Sequence, residues 1–173
     1  TEELTDLENF LKGCFQEIKL TGGNRRIEAY DISNLGTSFP VGALVTFKDG
    51  EPQKDFYRRY KIKSVSGIND AKMMAEVIGR RLNNREIPFP DLILIDGGKS
   101  QLSPVGRLLD PLKLPYIGLA KRYERIVVGD QYIKLPKDRP LIKLLMRIRD
   151  EAHRFAVNYQ RKSRHLSDSY QKW

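Results

Sequence analysis

The sequence predicts an α/β protein with one mixed β-sheet and helices on both of its faces. Three strand-like runs follow one another between residues 27 and 63, with no helical pattern between them. From residue 69 onward, helical and strand-like patterns alternate, and a long amphipathic helix follows. Consecutive strands favour an antiparallel meander, whereas helix–strand alternation favours parallel strands. The two parts together predict a mixed sheet.

The first third of the chain is predicted to form one helix and the meander. Apolar residues recur at helical spacing between Leu4 and Phe15, with acids early in the segment, which indicates a short amino-terminal helix. The run Thr21-Gly22-Gly23-Asn24 then breaks this pattern. Strands separated by turns that contain glycine and proline are predicted at residues 27–33, 41–47 and 56–63.

The remaining two thirds are predicted to supply three helices and four strands. The helices are indicated by the 3.6-residue spacing of apolar side chains, and the buried strands by short continuous apolar runs. The predicted helices cover residues 69–82, 100–109 and 140–161. The predicted strands cover residues 92–96, 116–120, 125–128 and 131–135, with the last two forming a hairpin.

Composition favours one globular domain without disulfides. The chain has 173 residues, 40% of them hydrophobic, which is enough to bury one sizeable core. Its one cysteine, Cys14, excludes an internal disulfide framework and a metal cage of thiolates. No apolar run approaches the roughly 20 residues of a membrane span, and no signal peptide is visible. The sequence therefore predicts a cytoplasmic protein that makes no membrane contact.

The positive charge of the chain is unevenly distributed. The formal net charge is +9, and residues 121–173 carry fourteen bases and six acids, whereas residues 1–20 carry two bases and five acids. A basic surface of this kind attracts polyanions, nucleic acid first. The alternative interpretation is a surface whose charge serves only solubility.

Two aspartates in strand patterns and a histidine on a predicted helix form the candidate site. Asp31 lies inside a strand-like run, where aspartate is disfavoured, and Asp96 ends a buried run at the edge where open α/β sheets place ligands. His153 falls on the flank of the apolar stripe of the last helix. Two carboxylates and an imidazole suit Mg²⁺ or Mn²⁺. The alternatives are a turn aspartate, a paired structural carboxylate, and a histidine that is structural or a general acid or base.

Asp70 and the Gly97-Gly98-Lys99-Ser100 run carry weaker signals. Asp70 stands at the start of a predicted helix, so a role in capping that helix explains it. The glycine run resembles the end of a nucleotide phosphate loop, but Ile93 stands where that loop requires glycine, which argues against a nucleoside triphosphatase. Lys99 and the backbone N–H groups of the turn could still approach a phosphate.

The segment 56–63 interleaves aromatic and basic residues on a predicted strand. One face of such a strand could contact a nucleic-acid backbone while the other face packs on the core. An ordinary half-exposed strand explains the same pattern. The backbone-contact interpretation makes Arg58 and Arg59 candidates for DNA binding, together with Lys99, Arg149 and Arg154.

Five segments, in the order in which they occur, match the pattern of one protein family. They are Tyr30-Asp31-Ile32-Ser33, Tyr57-Arg58-Arg59-Tyr60, Leu94-Ile95-Asp96-Gly97-Gly98-Lys99 with Gln101-Leu102, Ile117-Gly118-Leu119-Ala120-Lys121, and Arg147-Ile148-Arg149-Asp150-Glu151-Ala152-His153-Arg154-Phe155. The chain resembles the C-terminal endonuclease domain of bacterial UvrC, the C subunit of the excinuclease of nucleotide excision repair. The resemblance runs from residue 27 to residue 164, and its third and fifth segments are specific.

The resemblance implies a ribonuclease H-like fold, with which the predicted meander and alternating strands are compatible. It implies a divalent metal at Asp31, Asp96 and His153, and incision of damaged double-stranded DNA on the 5′ side of the lesion. It also implies a further important acid, which aligns with Asp70. It implies UvrB as a partner, with UvrA acting indirectly, through the full-length protein.

The chain departs from the family pattern at two places and lacks two companion parts. Asn34 stands where the family often has histidine, and Gly67-Ile68-Asn69-Asp70 keeps one acid of the family's Pro-Gly-Asp-Asp. No nuclease module for the 3′ cut and no tandem helix–hairpin–helix domain are visible, so a fragment is expected. Its expected parts are a helical extension at residues 1–20, the endonuclease domain at 21–164 and the start of a linker at 165–173. As a fragment it is expected to be a monomer with weak DNA affinity and little activity.

The predicted function is that of a metal-dependent DNA endonuclease domain. Asp31 and Asp96 are predicted to hold Mg²⁺ or Mn²⁺, with His153 as third ligand or as a base near the attacking water. Sites of this superfamily often use two ions about 4 Å apart, whereas an imidazole in place of a carboxylate favours one, so the number stays open. The rivals are a non-catalytic nucleic-acid-binding module on the same fold, and a ribonuclease or recombination nuclease of the same superfamily.

Overall fold

Eight strands of the described chain form one mixed sheet between two layers of helices. The structure, a computed structural model, describes residues 1–33, 40–63, 69–120 and 125–171, with side chains as far as residue 158. The helices are α1 (Glu2–Lys12), α2 (Asp70–Leu82), α3 (Lys99–Leu109) and α4 (Pro140–Gln171). The strands are β1 (Arg26–Ser33), β2 (Val41–Lys48), β3 (Glu51–Pro52), β4 (Arg58–Lys61), β5 (Leu92–Asp96), β6 (Tyr116–Ala120), β7 (Arg125–Val128) and β8 (Gln131–Lys134).

The order of the strands confirms the predicted mixed sheet. The sheet runs β3-β2-β1-β5-β6-β7-β8, and β4 pairs with β2. β1, β2 and β4 are antiparallel, β1, β5 and β6 are parallel, and β7 and β8 continue antiparallel from β6. The carboxyl ends of β1, β5 and β6 therefore lie at one edge of the sheet, where ligands of open α/β sheets bind.

Three elements differ from the sequence prediction by more than one residue at a boundary, and the short strand β3 was not predicted. The predicted strand at residues 56–63 begins later, as β4, because a 3₁₀ turn at Lys54–Phe56 occupies its start, with Tyr57 N–H donating to the Lys54 carbonyl. α1 ends at Lys12 rather than near Phe15, with Gly13 as its C-cap. α4 continues to Gln171, because its last ten residues contain neither glycine nor proline.

Some sequence features lie outside the described residues. They are Asn34, Gly67, Ile68 and Lys121. Within the described residues, the helices are all too short or too polar to cross a lipid bilayer.

The sheet separates two hydrophobic clusters. One cluster lies between the sheet and α1 and α4, and the other lies between the sheet and α2 and α3. Along β1, Ile27 and Ala29 belong to the first cluster and Tyr30 to the second, as the alternation of side chains across a strand requires. The face on which a strand residue lies therefore follows from its position in this alternation.

Ion pairs link α1 to α4 and to Arg139, the residue directly before α4. Arg139 Nη2 donates to Asp6 Oδ1 at 3.0 Å, and Arg147 Nη2 donates to Glu3 Oε2 at 2.8 Å. The hydrogen bond from Arg139 holds the pKa of the Asp6 carboxyl below its ordinary value. Leu7, on the same helix, is fully buried in the cluster beneath α4. α1 is therefore packed as part of this layer.

Because Gly118 of β6 has no side chain, the turn after β5 can lie close to the backbone of β6. A Cβ at this position would lie 2.7 Å from the Gly97 carbonyl oxygen and 3.0 Å from Leu102 Cδ1. Because a backbone atom cannot move without shifting β5, we expect Gly118→Ala to lower the free energy of unfolding by about 1–3 kcal/mol. Urea unfolding measures the loss.

The matched control is Gly79→Ala, inside α2. A Cβ there meets Leu108 Cδ1 at 3.9 Å, an ordinary van der Waals distance. Since alanine is a better helix former than glycine, we expect the free energy of unfolding of this variant to rise by about 0.5–1 kcal/mol. Equal stability changes in the two variants would contradict the close approach inferred at Gly118.

Candidate active site

Asp31 and Asp96 occupy neighbouring positions on adjacent parallel strands. Tyr30 of β1 pairs with Ile95 of β5, and Asp31 and Asp96 follow directly. Asp31 is 7% exposed and Asp96 is half-buried. Since adjacent strands lie about 4.8 Å apart, the two carboxylates belong to one small region at the carboxyl edge of the sheet.

Both aspartates face the layer that contains α4. Two residues earlier on each strand, Ala29 and Leu94 belong to the cluster beneath α1 and α4. Because residues i and i+2 of a strand share a face, Asp31 and Asp96 lie on that face as well. The end of β1 and the end of β5 thus present carboxylates to the same helix.

His153 of α4 meets Asp31. His153 Nδ1 lies 3.0 Å from Asp31 Oδ2, and the imidazole side chain is 66% exposed. A carboxylate can only accept a hydrogen bond, so this contact requires a proton on Nδ1, which in a neutral imidazole leaves Nε2 as the acceptor. The contact therefore orients the ring and fixes which nitrogen can bind a metal ion or take a proton.

Asp31 and Asp96 carry the kind of donor atom that a hard divalent cation takes. Within the described part of the chain, no group of three or more histidine, cysteine, aspartate and glutamate side chains is placed to hold a metal ion by itself. Some hard cations, however, use one or two protein carboxylates and complete their shell with water and substrate phosphate. A site of that kind would need the carboxylate oxygen atoms that Asp31 and Asp96 carry.

Asp70 is the first residue of α2, on the other face of the sheet from α4. Asn69 caps this helix, because its side chain accepts a hydrogen bond from Lys72 N–H at 3.1 Å. Asp70 is instead an acid in the first turn, where a negative charge interacts favourably with the helix dipole. Its catalytic role stays a prediction.

The backbone of the Gly97-Gly98 turn is already bonded within the protein. Gly97 N–H donates to the Leu119 carbonyl at 3.2 Å, and Gly98 N–H donates to Gln101 Oε1 at 2.9 Å. Lys99 N–H donates to the hydroxyl of Tyr132 at 3.4 Å. These N–H groups hold the start of α3 in place and do not form the phosphate cradle considered from the sequence.

Two of the five basic candidates are paired with acids on their own helix. Arg154 donates two hydrogen bonds to Glu151, and Arg149 Nη2 lies 3.5 Å from Asp150 Oδ1. The hydrogen bond from Arg154 lowers the pKa of the Glu151 carboxyl. Part of the positive charge of Arg149 and Arg154 is therefore balanced locally.

The other three basic candidates have different surroundings. Arg58 Nη1 donates to the carbonyls of Asp55 and Tyr57, each at 2.8 Å. Lys99 Nζ lies 4.7 Å from the ring centroid of Tyr132, and the guanidinium carbon of Arg59 lies 3.8 Å from the ring centroid of Phe155. These two contacts are cation–π interactions, which hold a positive charge in place.

Sequence reasoning missed the aromatic residues that organise these cations. Tyr57 donates to Glu151 Oε2 at 2.7 Å, and its ring meets Phe155 edge to face at a centroid distance of 5.1 Å. Burial raises the pKa of the Tyr57 hydroxyl, so this tyrosine stays a hydrogen-bond donor. Exposed Tyr132 contacts Arg125 as well as Lys99. The interleaved aromatics of segment 56–63 were a signal for Tyr57, whereas its partner on α4 was not visible in the chain's local pattern.

Comparison with known proteins identifies the family of this arrangement. A family model described as the UvrC RNase H endonuclease domain matches residues 16–157. UvrABC system protein C of Dictyoglomus thermophilum is 50% identical over 153 residues, which cover 83% of this chain and 26% of that protein. The protein of the same name in Leptospira biflexa is 42% identical over 170 residues, which cover 94% of this chain and 28% of that protein. The chain thus spans about a quarter of the length of these relatives.

A solved structure shows the same fold at low sequence identity. Endonuclease V of Streptomyces avermitilis superposes with a TM-score of 0.54, covering 94% of this chain and 93% of that one, at 14% identity. This likeness concerns the fold alone. It agrees with the predicted ribonuclease H-like sheet.

Proposed function

This chain belongs to the UvrC RNase H endonuclease domain family, and on that basis we propose that it is a metal-dependent DNA endonuclease domain. Its substrate is damaged double-stranded DNA, which it cuts on the 5′ side of the lesion in bacterial nucleotide excision repair. The observation that carries this proposal is the contact between His153 and Asp31, next to Asp96 at the carboxyl edge of the sheet.

Each of the three residues has a proposed role in hydrolysis. Asp31 and Asp96 hold Mg²⁺ or Mn²⁺, and such an ion, when bound, lowers the pKa of its water and neutralises charge on the scissile phosphate. Asp31 also accepts a hydrogen bond from Nδ1–H of His153 and so keeps Nε2 as the acceptor. Nε2 is either a third ligand or the base that takes a proton from the attacking water. Attack in line with the P–O3′ bond leaves a 3′-hydroxyl and a 5′-phosphate.

One ion is favoured over two at this site. His153 supplies an imidazole beside Asp31 and Asp96, so these three residues carry less negative charge than three carboxylates would. A second divalent cation would have less charge to compensate its repulsion from the first. Asp70 is the further acid proposed to take part, from the start of α2.

The remaining proposals concern DNA and protein partners. Arg58, Arg59, Lys99, Arg149 and Arg154 are proposed to hold the DNA backbone. We assign the endonuclease domain to residues 21–164, and propose that a full-length protein carrying it acts with UvrB, and indirectly with UvrA. A net charge of +9 supports the polyanionic substrate.

Metal binding tests the proposal against a non-catalytic binding module. We expect the chain to bind Mn²⁺, measured by electron paramagnetic resonance of the free ion, and Asp31→Asn to lose this site. Damaged duplex DNA is expected to be cut only when Mg²⁺ or Mn²⁺ is present, with EDTA abolishing the cut. RNA–DNA hybrid, offered as a competitor, is expected to be a poorer substrate.

The matched control is Asp138→Asn, which removes the same charge from an exposed residue between β8 and α4. Its Mn²⁺ binding is expected to equal that of the unaltered chain. Equal Mn²⁺ binding by Asp31→Asn would favour the binding module, and preferential cutting of the hybrid would favour a ribonuclease. Because the isolated chain is expected to cut weakly, cleavage is also measured in a full-length protein that carries the domain.

A further inference from the structure

A cluster of side chains beside the candidate site contains Arg59, Phe155 and Tyr57. The guanidinium of Arg59 lies over the ring of Phe155, and the ring of Tyr57 meets Phe155 at an interplanar angle of 69°. Tyr57 is also bonded to Glu151, one helical turn before Phe155. Tyr57, just before β4, thus contacts α4 both by a hydrogen bond and by its ring. The Arg59 guanidinium lies at the same contact between β4 and α4.

The register of the sheet relates this cluster to the aspartates. Arg59 of β4 pairs with Ala43 of β2, and Ala43 pairs with Asp31 of β1. Residues directly opposite on paired strands share a face of the sheet, so Arg59 lies on the same face as Asp31 and Asp96. Two strand spacings separate Arg59 from Asp31, which is about 10 Å between backbones.

That separation is within the reach of one nucleic-acid strand. The phosphates of one strand rise by about 3.4 Å per nucleotide along the duplex axis, and they lie farther apart than this in space because the backbone winds around the axis. A strand whose scissile phosphate lies at Asp31 and Asp96 would therefore bring a phosphate one or two nucleotides away to Arg59. The cluster contains none of the three residues proposed to carry out hydrolysis, Asp31, Asp96 and His153.

The surroundings of Arg59 suit an anion. A surface cavity of about 320 Å³ is lined by Lys54, Tyr57, Arg59, Arg154, Phe155 and Asn158. Three of these six residues are cationic and none is acidic, although Arg154 is paired with Glu151 just outside the lining. The face of the Arg59 guanidinium lies against Phe155, and a planar guanidinium has a fork of N–H donors at its edge, the geometry that suits bidentate phosphate binding.

We propose that Arg59, positioned by Phe155, binds one backbone phosphate of the DNA strand that lies across Asp31 and Asp96, and that Lys54 supplies a second positive charge to this phosphate site. The inference rests on the proposed function for the identity of the polyanion. The ligand is recognised by its charge and shape, so the contact is independent of base sequence. Phe155 acts through Arg59 and is a positioning residue.

The salt dependence of DNA binding tests this site. Fluorescence anisotropy of a labelled duplex is measured with the chain in EDTA, which prevents cutting. Each phosphate neutralised contributes about −0.9 to the slope of log affinity against log salt concentration. We expect Arg59→Ala to lose one such increment, and to bind about eightfold more weakly than the unaltered chain at 0.1 M salt.

Arg85→Ala is the matched control. Arg85 is also exposed and also lies over a phenylalanine, with its guanidinium carbon 5.1 Å from the ring centroid of Phe89. It precedes β5 and so lies toward the amino edge of the sheet, away from Asp96. We expect Arg85→Ala to keep the slope of the unaltered chain. Equal slopes for Arg59→Ala and the unaltered chain would overturn the phosphate site.

Two further variants separate the charge of Arg59 from its placement. Arg59→Lys keeps the charge without the planar guanidinium, so we expect the slope to stay and affinity to fall. Phe155→Leu keeps every charge. We expect it to weaken DNA binding when it is the only substitution, and to weaken DNA binding little further when Arg59→Ala is already present. Additive losses would overturn the positioning role of Phe155, and if Phe155→Leu fails to fold, Arg59→Lys still tests placement.

The outcomes separate this inference from the proposed function. Metal-dependent cutting that requires Asp31, combined with an unchanged slope in Arg59→Ala, would refute the phosphate site alone. A reduced slope in Arg59→Ala, combined with no metal-dependent cutting in a full-length protein, would leave a nucleic-acid site on a protein that is not a nuclease.

Discussion

Asp31→Asn is expected to reduce incision on the 5′ side of a lesion by about three orders of magnitude or more. The substitution keeps the size of the side chain but removes the charge proposed to hold the cation, whose interaction with the transition state would contribute several kcal/mol. It also replaces the carboxylate that accepts a hydrogen bond from His153 Nδ1–H at 3.0 Å. Asp96→Asn is expected to have a similar effect through the first of these causes. Incision is measured in a full-length protein carrying this domain, on DNA with a single lesion.

Assembly on damaged DNA provides the control for this loss. The proposed roles of Asp31 and Asp96 are to hold the cation and, for Asp31, to orient the histidine, so both variants are expected to assemble on the lesion as the unaltered protein does. Urea unfolding of each variant shows whether the fold has survived. Normal 5′ incision by either variant would remove that aspartate from the active site.

The role of His153 follows from the same series of variants. His153→Ala is expected to slow incision by about 10²–10⁴-fold if the ring acts as a base. A base role leaves Mn²⁺ affinity unchanged, whereas loss of a metal ligand weakens it. Because Asp31 orients His153, the double variant is expected to be little slower than Asp31→Asn alone. Fully multiplicative losses would show that the two residues act independently.

The parts of the fold that depend on local pattern could be predicted from the sequence. β5 and β6 follow from short apolar runs, β1 from a strand-like run between turns, and α2 from its apolar stripe, because burial imposes a period on residues that are neighbours in the chain. The positions of Asp31 inside one strand pattern and of Asp96 at the end of another were visible for the same reason. The face that both aspartates share then follows from parallel pairing in register.

Contacts between distant segments could not be predicted, because no local period encodes them. Glu28 and Arg81 are 53 residues apart, and Tyr57 and Glu151 are 94 residues apart. Asp31 attracted attention as a carboxylate in a strand, yet Glu28 on the same strand is more deeply buried, at 2% exposure. Its partner, Arg81, does not interrupt the apolar pattern of α2. In the sequence it cannot be told from an ordinary basic residue in the last turn of a helix.

Arg81→Met is expected to lower the free energy of unfolding by about 3–5 kcal/mol at neutral pH. Arg81 is fully buried, its guanidinium donates to Glu28 Oε1, and it also donates to the carbonyls of Asn84 and Pro88. Methionine fills a similar volume but leaves the Glu28 carboxylate buried without its counter-charge. The loss is measured by urea unfolding of the 173-residue chain.

The pH dependence of this loss identifies the buried charge as its cause. Burial already raises the pKa of Glu28, while Arg81 opposes the rise, so removing Arg81 raises it further. A carboxyl whose pKa is higher in the folded state than in the unfolded state binds a proton on folding. The Arg81→Met chain should therefore recover stability toward pH 4 and lose it as the pH rises through the folded pKa of Glu28.

The double variant Glu28→Gln with Arg81→Met separates charge from packing. Glutamine keeps an acceptor for the Tyr30 hydroxyl, which donates to Glu28 at 3.2 Å, and it carries no charge to bury. The carbonyls of Asn84 and Pro88 lose their donor equally in both variants. We therefore expect the double variant to be more stable than Arg81→Met at pH 7 and equally stable near pH 4. A gap between the two that does not change with pH would show that lost packing, and not an uncompensated carboxylate, accounts for the destabilisation.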